Sequence, residues 1–517
     1  MRSEKKQTAI NLIAKIISYG TTYLIAFFLT PYLVEKIGSE AYSFYPIANN
    51  FASYMSIITI ALNSMASRFI TIALTKNEKK KANTYFASIF FGNVFMSALL
   101  LIPMTIIVIF LDSILNIPLD LIISIKLLFS LVFISMIINL LTNVFGVSFF
   151  SQNRIDLNSI CDIVIGITRV VLYIILFLFF EPSIIYVGIV AFVVALLTFF
   201  LQFSFSKQLL PEMKISFSFF DRNAIKEVFS SGIWNSVNQV GTVLMSTIGL
   251  FMCNTLYGSV EAGVYSVALT IPSFMNGIVS MLCSTFLPTL TIKYALGDRK
   301  EILNHVHITQ SVVGIIDCVP IAVFMAVGSN FFKLWTPSVD NNKVQVLSMF
   351  AIGYLLVTSV SWPLSNLNIV MNRVKIPALV MLGTGVINII LILFTYYFTD
   401  IGVYSIPLGQ MLLFILNRGT FIAIYTAKSM NEKWYYFYPP ILKNLLGAGV
   451  IFLISYLVNI FVNPQNWLIM FLECFFLGIV GLLINMFIVL KASERGKIIK
   501  LLSSKIFSRT QPKNNTK

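Results

Sequence analysis

Long apolar runs separated by short polar connections follow one another along nearly the whole chain. Fourteen of these runs reach the roughly 20 residues that an α-helix needs to cross a hydrocarbon core about 30 Å thick. They lie near residues 8–33, 41–69, 83–111, 121–148, 157–180, 183–206, 228–256, 262–290, 303–330, 344–370, 376–399, 401–426, 440–462 and 466–490. A transmembrane β-barrel would instead alternate apolar and polar residues over segments of about ten residues. The pattern therefore predicts an all-α polytopic membrane protein with about 14 transmembrane helices.

The composition also indicates a membrane protein. Hydrophobic residues make up 57% of the 517 residues, charged residues only 11%, and the mean hydropathy is +0.87. Soluble domains carry about 25% charged residues. The start of the chain is basic and then apolar, as in a signal peptide, but its apolar run is too long and lacks a small-residue cleavage site. We therefore interpret it as the first membrane span.

The basic residues are distributed unequally between the two sides of the membrane. The net charge is +15, and of the 36 Lys and Arg residues only Lys36, Lys333 and Lys343 fall in the connections that we assign to the outer side. Lysine and arginine are enriched in cytoplasmic loops. The charge pattern therefore predicts an even number of spans with both termini in the cytoplasm. It is a membrane signature and indicates no nucleic-acid partner.

Two halves of the chain resemble each other. The segment NRIDLNSICDIVIGITRVV begins at Asn153, and NRVKIPALVMLGTGVINII begins at Asn372, 219 residues later. Similarly, YGTTYL and KIGSEAYSF are followed by VGTVLM and LYGSVEAGVYSV at separations of 220 to 223 residues. Six helices between equivalent points keep both copies in the same membrane orientation, so the pattern predicts parallel repeats about an axis along the membrane normal.

The repeat predicts the domain organisation. We expect an N-terminal six-helix lobe at 1–207, a cytoplasmic linker at 208–227, a C-terminal six-helix lobe at 228–430, two appended helices at 431–490 and a basic cytoplasmic tail at 491–517. In the tail, Ile498, Leu502 and Ile506 recur at helical spacing among basic residues. They favour an amphipathic helix on anionic membrane lipids, and an unstructured, solvated tail is the alternative.

The sequence contains no motif for a metal, a cofactor or catalysis. The five cysteines fall within spans without CxxC spacing, and His305 and His307 face different directions on a helix. A P-loop, an HExxH motif and a Gly-rich nucleotide fingerprint are absent. We therefore expect no metal site, no cofactor and no enzymatic activity.

Several stretches, in their order and spacing over roughly residues 8–490, carry a resemblance to a known family. These are PYLVEKIGSEAYSFYPI, LNSMASRFITIAL, NRIDLNSI, FLPTLTIKY, FFKLWTPSVD and INIILILFTYYFTDIGVYSIPLG. With them the chain resembles the oligosaccharidyl-lipid (polysaccharide) flippases of the multidrug/oligosaccharidyl-lipid/polysaccharide exporter superfamily. The chain departs from the family pattern at Ser43, where the family usually has Gly, and at Tyr404 and Ser405, which replace small residues.

The resemblance implies a V-shaped, two-lobed transporter with fourteen helices. It implies a flippase that moves an undecaprenyl-diphosphate-linked oligosaccharide from the inner to the outer leaflet of a bacterial cytoplasmic membrane, for a surface glycan such as O-antigen or capsule. The lipid-linked oligosaccharide would be its substrate. A polysaccharide polymerase and the chain-length machinery would be candidate partners.

Charged residues within the spans are the main site candidates, because intramembrane charges are rare and usually functional. An unpaired diphosphate in hydrocarbon would cost on the order of tens of kcal/mol, and fixed basic side chains in a wet cavity lower that cost. Arginine also binds two phosphate oxygens at once. The candidates for the diphosphate are Lys15, Arg169, Arg418, Arg68 and Lys126. For Arg68 and Lys126, snorkelling to the membrane surface is an equal alternative.

Asp162 and Arg169 lie seven residues apart, so on a helix they share one face at about 10.5 Å along the axis. At this separation we expect no direct ion pair between Asp162 and Arg169. A structural partner on another helix remains the alternative to a cavity role for Arg169. Asp162 is a candidate for proton or cation coupling, with simple solvation near its helix end as the alternative.

Polar uncharged residues gather in the first helix of each half. The stretches are SYGTTY and WNSVNQVGT. From the second we choose Asn235, Asn238 and Gln239 as sugar contacts, because amides bind sugar hydroxyls. Interhelical hydrogen bonding is an equally good interpretation.

Two other functions compete with a flippase. A multidrug or cation antiporter of the same superfamily needs an acidic cavity, whereas the deep charges here are mainly basic. A membrane glycosyltransferase or polysaccharide polymerase would carry catalytic residues on sizeable outer loops. The longest outer connection, 331–343, has no His and a single acid, Asp340.

Overall fold

Among the residues that the structure describes, fourteen helices are long and apolar enough to cross a membrane, which confirms the predicted fold class. The computed structural model describes residues 4–490 and 495. The predicted tail helix at Ile498, Leu502 and Ile506 lies outside the described residues. The helices are α1 (Glu4–Ile37), α2 (Ser39–Thr75), α3 (Lys79–Ile109), α4 (Ile122–Ser151), α5 (Ile155–Phe179), α6 (Ile185–Leu209), α7 (Arg222–Tyr257), α8 (Ser259–Ala268 and Thr270–Ala295), α9 (Arg299–Trp335), α10 (Asn341–Gly353 and Leu355–Val370), α11 (Lys375–Phe398), α12 (Gly402–Ser429), α13 (Tyr438–Val462) and α14 (Trp467–Val489).

The turns between helices repeat along the chain. Gly38 and Gly258 both have positive φ angles, 82° and 93°, and separate α1 from α2 and α7 from α8. Asn153 and Asn372, with φ angles of 52° and 56°, precede α5 and α11. Glycine and asparagine are the residues that tolerate this left-handed conformation best. The turn chemistry therefore recurs at the separations at which the sequence repeats.

An ion pair is also duplicated. Lys79 at the start of α3 lies 2.6 Å from Glu212, which follows α6. Arg299 at the start of α9 lies 2.6 Å from Glu432, which follows α12. Both members of the second pair lie 220 residues after their counterparts. Each ion pair links the start of one helix to the connection that follows another helix. The same contact therefore occurs once in each half of the sequence repeat.

The chain forms two compact units. Unit 1 consists of the described residues up to Ala268, with Ser338–Asp340 and Val374–Gln410, and unit 2 of the remaining described residues. Helices α7 and α11 and the first segment of α8 thus pack within unit 1. The lobe boundaries at 207, 228 and 430 follow the sequence repeat and stay a prediction.

Unit 1 is held together by close contact of α7 with α2. A Cβ atom on Gly232 would lie only 2.0 Å from the carbonyl oxygen of Ala61, so the two backbones approach as closely as glycine allows. One turn further along, the Ser236 hydroxyl donates a hydrogen bond to the Ile57 carbonyl at 3.2 Å. Small residues permit such close helix approach in membranes. The position of α7 against α2 is therefore fixed by contacts that a larger side chain at 232 would prevent.

In unit 2, α13 and α14 pack against α9 through asparagines placed beside glycines. The Asn485 amide donates to the Asn444 side-chain oxygen at 3.3 Å, and the Asn444 amide donates to the Pro440 carbonyl at 2.8 Å. A Cβ atom on Gly314 would collide with the Asn444 side chain. Helices α13 and α14 are therefore joined to each other by a hydrogen bond between asparagines, and α13 lies close against α9 at Gly314.

Candidate functional site

A cavity of about 470 Å³ opens within unit 1 among α1, α2 and α5. It contains two basic side chains, one carboxylate, several hydroxyls and five tyrosines. Its polar and aromatic lining residues are Lys15, Ser18, Tyr19, Thr22, Tyr23, Thr30, Tyr42, Tyr45, Asp162, Arg169 and Tyr173. It therefore gathers three of the charged residues that the sequence analysis selected.

Helical spacing explains why these side chains meet. On α5, Asp162, Arg169 and Tyr173 stand at positions i, i+7 and i+11, which place them on one face. Between them, Gly166 faces α1, where a Cβ atom would lie 2.8 Å from the end of the Ile25 side chain. The glycine thus leaves room for the cavity between α1 and α5.

Asp162 is paired across helices with Lys15. The Lys15 ammonium lies 3.8 Å from the Asp162 carboxylate, and both side chains are about one-third exposed, at 34% and 36%. The Ser18 hydroxyl and the Asn158 amide also donate to the same carboxylate oxygen, at 3.3 and 3.4 Å. The negative charge of Asp162 is therefore balanced by a cation from α1.

Arg169 keeps its charge uncompensated. It lies near the middle of α5 and lines the cavity. Within the described part of the chain, it makes no hydrogen bond and no ion pair. Because a guanidinium carries five N–H donors in a fixed fork, Arg169 has its full donor set available to a ligand in the cavity.

The tyrosines give the cavity aromatic walls. The rings of Tyr19 and Tyr23 stack with centroids 6.0 Å apart, and the Lys15 ammonium lies 4.9 Å from the centroid of Tyr19. The latter geometry is a cation–π contact. Sequence reasoning missed Tyr42, Tyr45 and Tyr173 as lining residues. For Tyr173, the available signal was its i+4 spacing from Arg169.

Arg418 lies in unit 2 within a π-helical segment, Ile415–Ile422 of α12. Its guanidinium donates a hydrogen bond to the Ser365 hydroxyl on α10. A π-helical turn inside an α-helix often marks a functional site. A second π-helical segment, Val243–Thr247, interrupts α7 in unit 1. The sequence pattern gave no indication of either segment.

The other predicted residues do not line the unit 1 cavity. Lys126 lies 2.6 Å from the Asp112 carboxylate and donates to the Ile109 carbonyl at 2.9 Å. The hydrogen bond from Lys126 holds the pKa of the Asp112 carboxyl below its usual value. Arg68 is exposed on α2.

The three amides chosen as sugar contacts lie on α7, outside this cavity. The Asn235 amide donates to the Ser64 hydroxyl on α2 at 3.2 Å. Asn238 is exposed, and Gln239 is partly exposed. For Asn235, the structure thus gives the interhelical hydrogen bond that was the alternative interpretation, while the sugar-contact assignment of all three stays a prediction.

Residues that could bind a metal do not cluster. Among residues 4–490 and 495, no group of three or more His, Cys, Asp or Glu side chains comes together. His305 and His307 point to different partners, the first toward the Phe286 carbonyl and the second against the ring of Tyr436.

The fold is that of transporters of the MOP superfamily. The lipid II flippase MurJ in an inward closed conformation matches with a TM-score of 0.64 and 16% identity, over 92% of this chain and 98% of that chain. An inward-facing multidrug resistance MATE family transporter matches with a TM-score of 0.63 and 12% identity, over 81% and 98%. A MOP superfamily transporter from Pyrococcus furiosus matches with a TM-score of 0.62 and 13% identity, over 83% and 97%. At these identities the similarity establishes the fold alone.

The sequence matches are more specific. Residues 9–292 match the family described as polysaccharide biosynthesis protein, and the chain belongs to this family. The uncharacterized membrane protein EpsK of Bacillus subtilis (strain 168) is 27% identical over 458 residues, which cover 89% of this chain and 90% of that protein. The predicted relationship to a polysaccharide family is thereby confirmed, and the fold is the one that transporters of the MOP superfamily share.

Proposed function

We propose that this membrane transporter is a flippase. It moves an undecaprenyl-diphosphate-linked oligosaccharide from the inner to the outer leaflet of the bacterial cytoplasmic membrane, for the synthesis of a cell-surface polysaccharide. Membership of the polysaccharide biosynthesis family and the MOP transporter fold support the class of activity. The single observation that carries the choice of cargo is Arg169, an uncompensated cation in a cavity at mid-helix.

The charge of the cavity suits a diphosphate. Moving an unpaired diphosphate through hydrocarbon would cost on the order of tens of kcal/mol. The planar fork of Arg169 offers two parallel donors to phosphate oxygens, as arginine does in other phosphate sites. Lys15 supplies a second cation from α1, nearer the start of its helix. The five tyrosines and the α1 hydroxyls provide the faces and hydrogen-bonding groups that sugars use.

Asp162 then becomes the candidate coupling group. When a phosphate binds Lys15, it takes the place of the carboxylate 3.8 Å away. Asp162 loses its cation and takes up a proton or a cation from solution instead. Release of the phosphate restores the Lys15–Asp162 pair. Alternating access by rocking of the lobes would expose the cavity to each side in turn.

The remaining predicted cations and amides have secondary roles in this proposal. Arg418, in its π-helical segment, is the second candidate for substrate contact. Arg68 and Lys126, and the sugar contacts Asn235, Asn238 and Gln239, keep their proposed roles with less support, because they do not line the unit 1 cavity. Both termini would lie in the cytoplasm, with a polymerase and chain-length machinery as partners.

A multidrug or cation antiporter is the second candidate, and the similarity to MATE transporters favours it. An organic cation would need an acid free to balance it. The carboxylate that lines the cavity, Asp162, is paired with Lys15, and Arg169 would repel a cation. The charge balance therefore favours an anionic cargo.

Gene deletion tests the proposal. Loss of a surface polysaccharide, together with accumulation of its lipid-linked precursor in the inner leaflet, is expected on deletion. Re-expression of the wild-type chain should restore the polysaccharide, and an empty vector serves as the control. If deletion leaves every surface glycan unchanged and instead raises sensitivity to cationic drugs, the antiporter is the correct assignment.

A further inference from the structure

Unit 2 contains a second cavity that the proposed flippase activity does not use. It measures about 560 Å³ and lies where α9 and α13 begin and α14 ends. This volume falls within the roughly 300–1,000 Å³ of typical small-ligand sites. Its lining residues come from α9, from the connection that precedes α13, from the start of α13, and from Val489 at the end of α14.

The lining of this cavity is basic. Lys300 on α9 and Lys443 on α13 both line it, and none of the lining residues that the structure describes is Asp or Glu. Within the part of the chain that the structure describes, neither lysine forms an ion pair or a side-chain hydrogen bond. Two ammonium groups therefore face a shared space, and no carboxylate among residues 4–490 pairs with either of them.

The described acidic residues near the start of α9 are engaged elsewhere. Glu432 accepts a hydrogen bond from Arg299 at 2.6 Å, and Glu301 is paired with Lys293. The Asp298 carboxylate caps α9 by accepting from the backbone N–H of Glu301 at 3.0 Å. Each of these three carboxylates thus has its own donor. The positive charge of Lys300 and Lys443 is left for a ligand.

Aromatic residues indicate the depth of the cavity in the membrane. The connection before α13 continues into it as Trp-Tyr-Tyr-Phe-Tyr at residues 434–438, and Trp434 and Tyr435 are 58% and 47% exposed. Tryptophan and tyrosine are enriched at the membrane–water interface, at the level of the headgroups. The Tyr436 ring packs on the imidazole of His307, with centroids 4.8 Å apart, and so fixes this connection to α9.

An apolar surface continues from the cavity along α13. Leu442, Leu446 and Leu453 are 56%, 67% and 60% exposed and recur at helical spacing beside Lys443. A molecule with a phosphate between the two lysines could lay an alkyl chain along this surface. The site thus combines an anion-binding end with a hydrocarbon-binding face, which is the chemistry of an anionic lipid.

We propose that this cavity binds the phosphate headgroup of an anionic membrane phospholipid, with Lys300 and Lys443 as its charge contacts and the Asn304 amide as an additional donor. Basic pockets between helices on the cytoplasmic side of membrane proteins bind such headgroups. The lipid would join α9, α13 and α14 at their shared end. It stabilises unit 2 without being transported.

Native mass spectrometry of the full-length protein, stripped of lipid in detergent, tests this site. Phosphatidylglycerol, zwitterionic phosphatidylcholine and inorganic phosphate are added separately. Retained phosphatidylglycerol is expected with the wild type, and the Lys300→Gln/Lys443→Gln variant should bind it roughly 10- to 30-fold less tightly. The Lys300→Arg/Lys443→Arg variant should retain it, because the charge is kept. Lys76→Gln/Lys80→Gln removes two exposed lysines outside the cavity and should change nothing.

Four results would contradict a site for an anionic phospholipid. Unchanged phosphatidylglycerol binding in a folded Lys300→Gln/Lys443→Gln variant would overturn the proposal, as would equal binding of phosphatidylcholine. Displacement of the lipid by inorganic phosphate would show a site for a soluble anion. Binding of undecaprenyl phosphate but not of phosphatidylglycerol would show a substrate site. A melting temperature measured on each variant confirms that it is folded.

Discussion

The Lys15 ammonium lies 3.8 Å from the Asp162 carboxylate, across the gap between α1 and α5. Arg169 lies on the same face of α5, two turns further along, and has no anion of its own among residues 4–490. The cavity thus carries one compensated and one uncompensated cation. The proposed transport cycle depends on both cations. Lys15 exchanges the Asp162 carboxylate for a phosphate, whereas Arg169 binds the phosphate without releasing a protein anion.

The coupling of Lys15 with Asp162 can be measured. Lys15→Met leaves the Asp162 carboxylate with only hydroxyl and amide donors and should lower the free energy of unfolding, while Lys15→Met/Asp162→Asn should recover part of the loss. Because both side chains are about one-third exposed, the coupling should be about 0.2–1 kcal/mol. Thermal unfolding in detergent of the two single variants and the double variant gives this value.

Arg169→Met is the matched control for that cycle. Arg169 has no ion-pair partner in residues 4–490, so its replacement should show no coupling with Asp162→Asn. Strictly additive effects of Lys15→Met and Asp162→Asn would contradict the pair.

Contact between α7 and α2 depends on Gly232. Gly232→Ala forces a methyl group toward the Ala61 carbonyl, 2.0 Å from the ideal Cβ position, and should destabilise unit 1 by about 1–3 kcal/mol. Gly20→Ala is the control, because nothing lies within 4 Å of its Cβ position. The melting temperature should fall for the first variant and hold or rise for the second. Equal melting temperatures for both would mean that the two helices are not in close contact.

Gly166 controls the width of the cavity. Gly166→Leu would fill the space beside Ile25, 2.8 Å from its Cβ position, and should reduce export of the polysaccharide at an unchanged protein level. Gly449→Leu on α13, where nothing lies within 4 Å, should leave export intact. Quantification of surface polysaccharide checks both variants. Normal export in Gly166→Leu would separate this cavity from transport.

The Asp112–Lys126 pair predicts a response to acid. The folded carboxyl has a lowered pKa because Lys126 donates a hydrogen bond to it. Its contribution to stability is therefore present above the unfolded pKa of about 4 and is lost as the pH falls through the lowered value. Lys126→Met should lower the melting temperature at pH 7 more than at pH 3. Lys36→Met, an exposed lysine on α1, should show no such pH dependence, and an equal loss at both pH values in Lys126→Met would contradict the pair.

The sequence predicts the helices and their repetition well, because both follow from one-dimensional patterns. Apolar length determines the fourteen spans, and the turns at Asn153 and Asn372 are visible as the same dipeptide before each repeated helix. The partner of Asp162 was not predictable. Lys15 lies on another helix, and which faces of two helices meet depends on packing that no local pattern reports.

Lys126 shows a second limit of sequence analysis. Its depth, counted from the end of the span, favours a cavity role and snorkelling equally. The rotation of α4 and the short turn at Leu111–Ile114 instead bring Asp112 within 2.6 Å of it. The π-helical segment around Arg418 is likewise not visible in the sequence, because no residue in ILNRGTFI specifies an i→i+5 hydrogen-bond pattern.

Replacement of Arg169 tests the central claim most directly. We expect Arg169→Ala, expressed in the deletion strain at the wild-type level, to abolish the surface polysaccharide and to accumulate its lipid-linked precursor in the inner leaflet. Arg169→Lys should retain part of the activity, because the charge remains and the bidentate fork is lost. Wild-type amounts of polysaccharide in Arg169→Ala, with no accumulated precursor, would contradict a phosphate-binding role for this cavity.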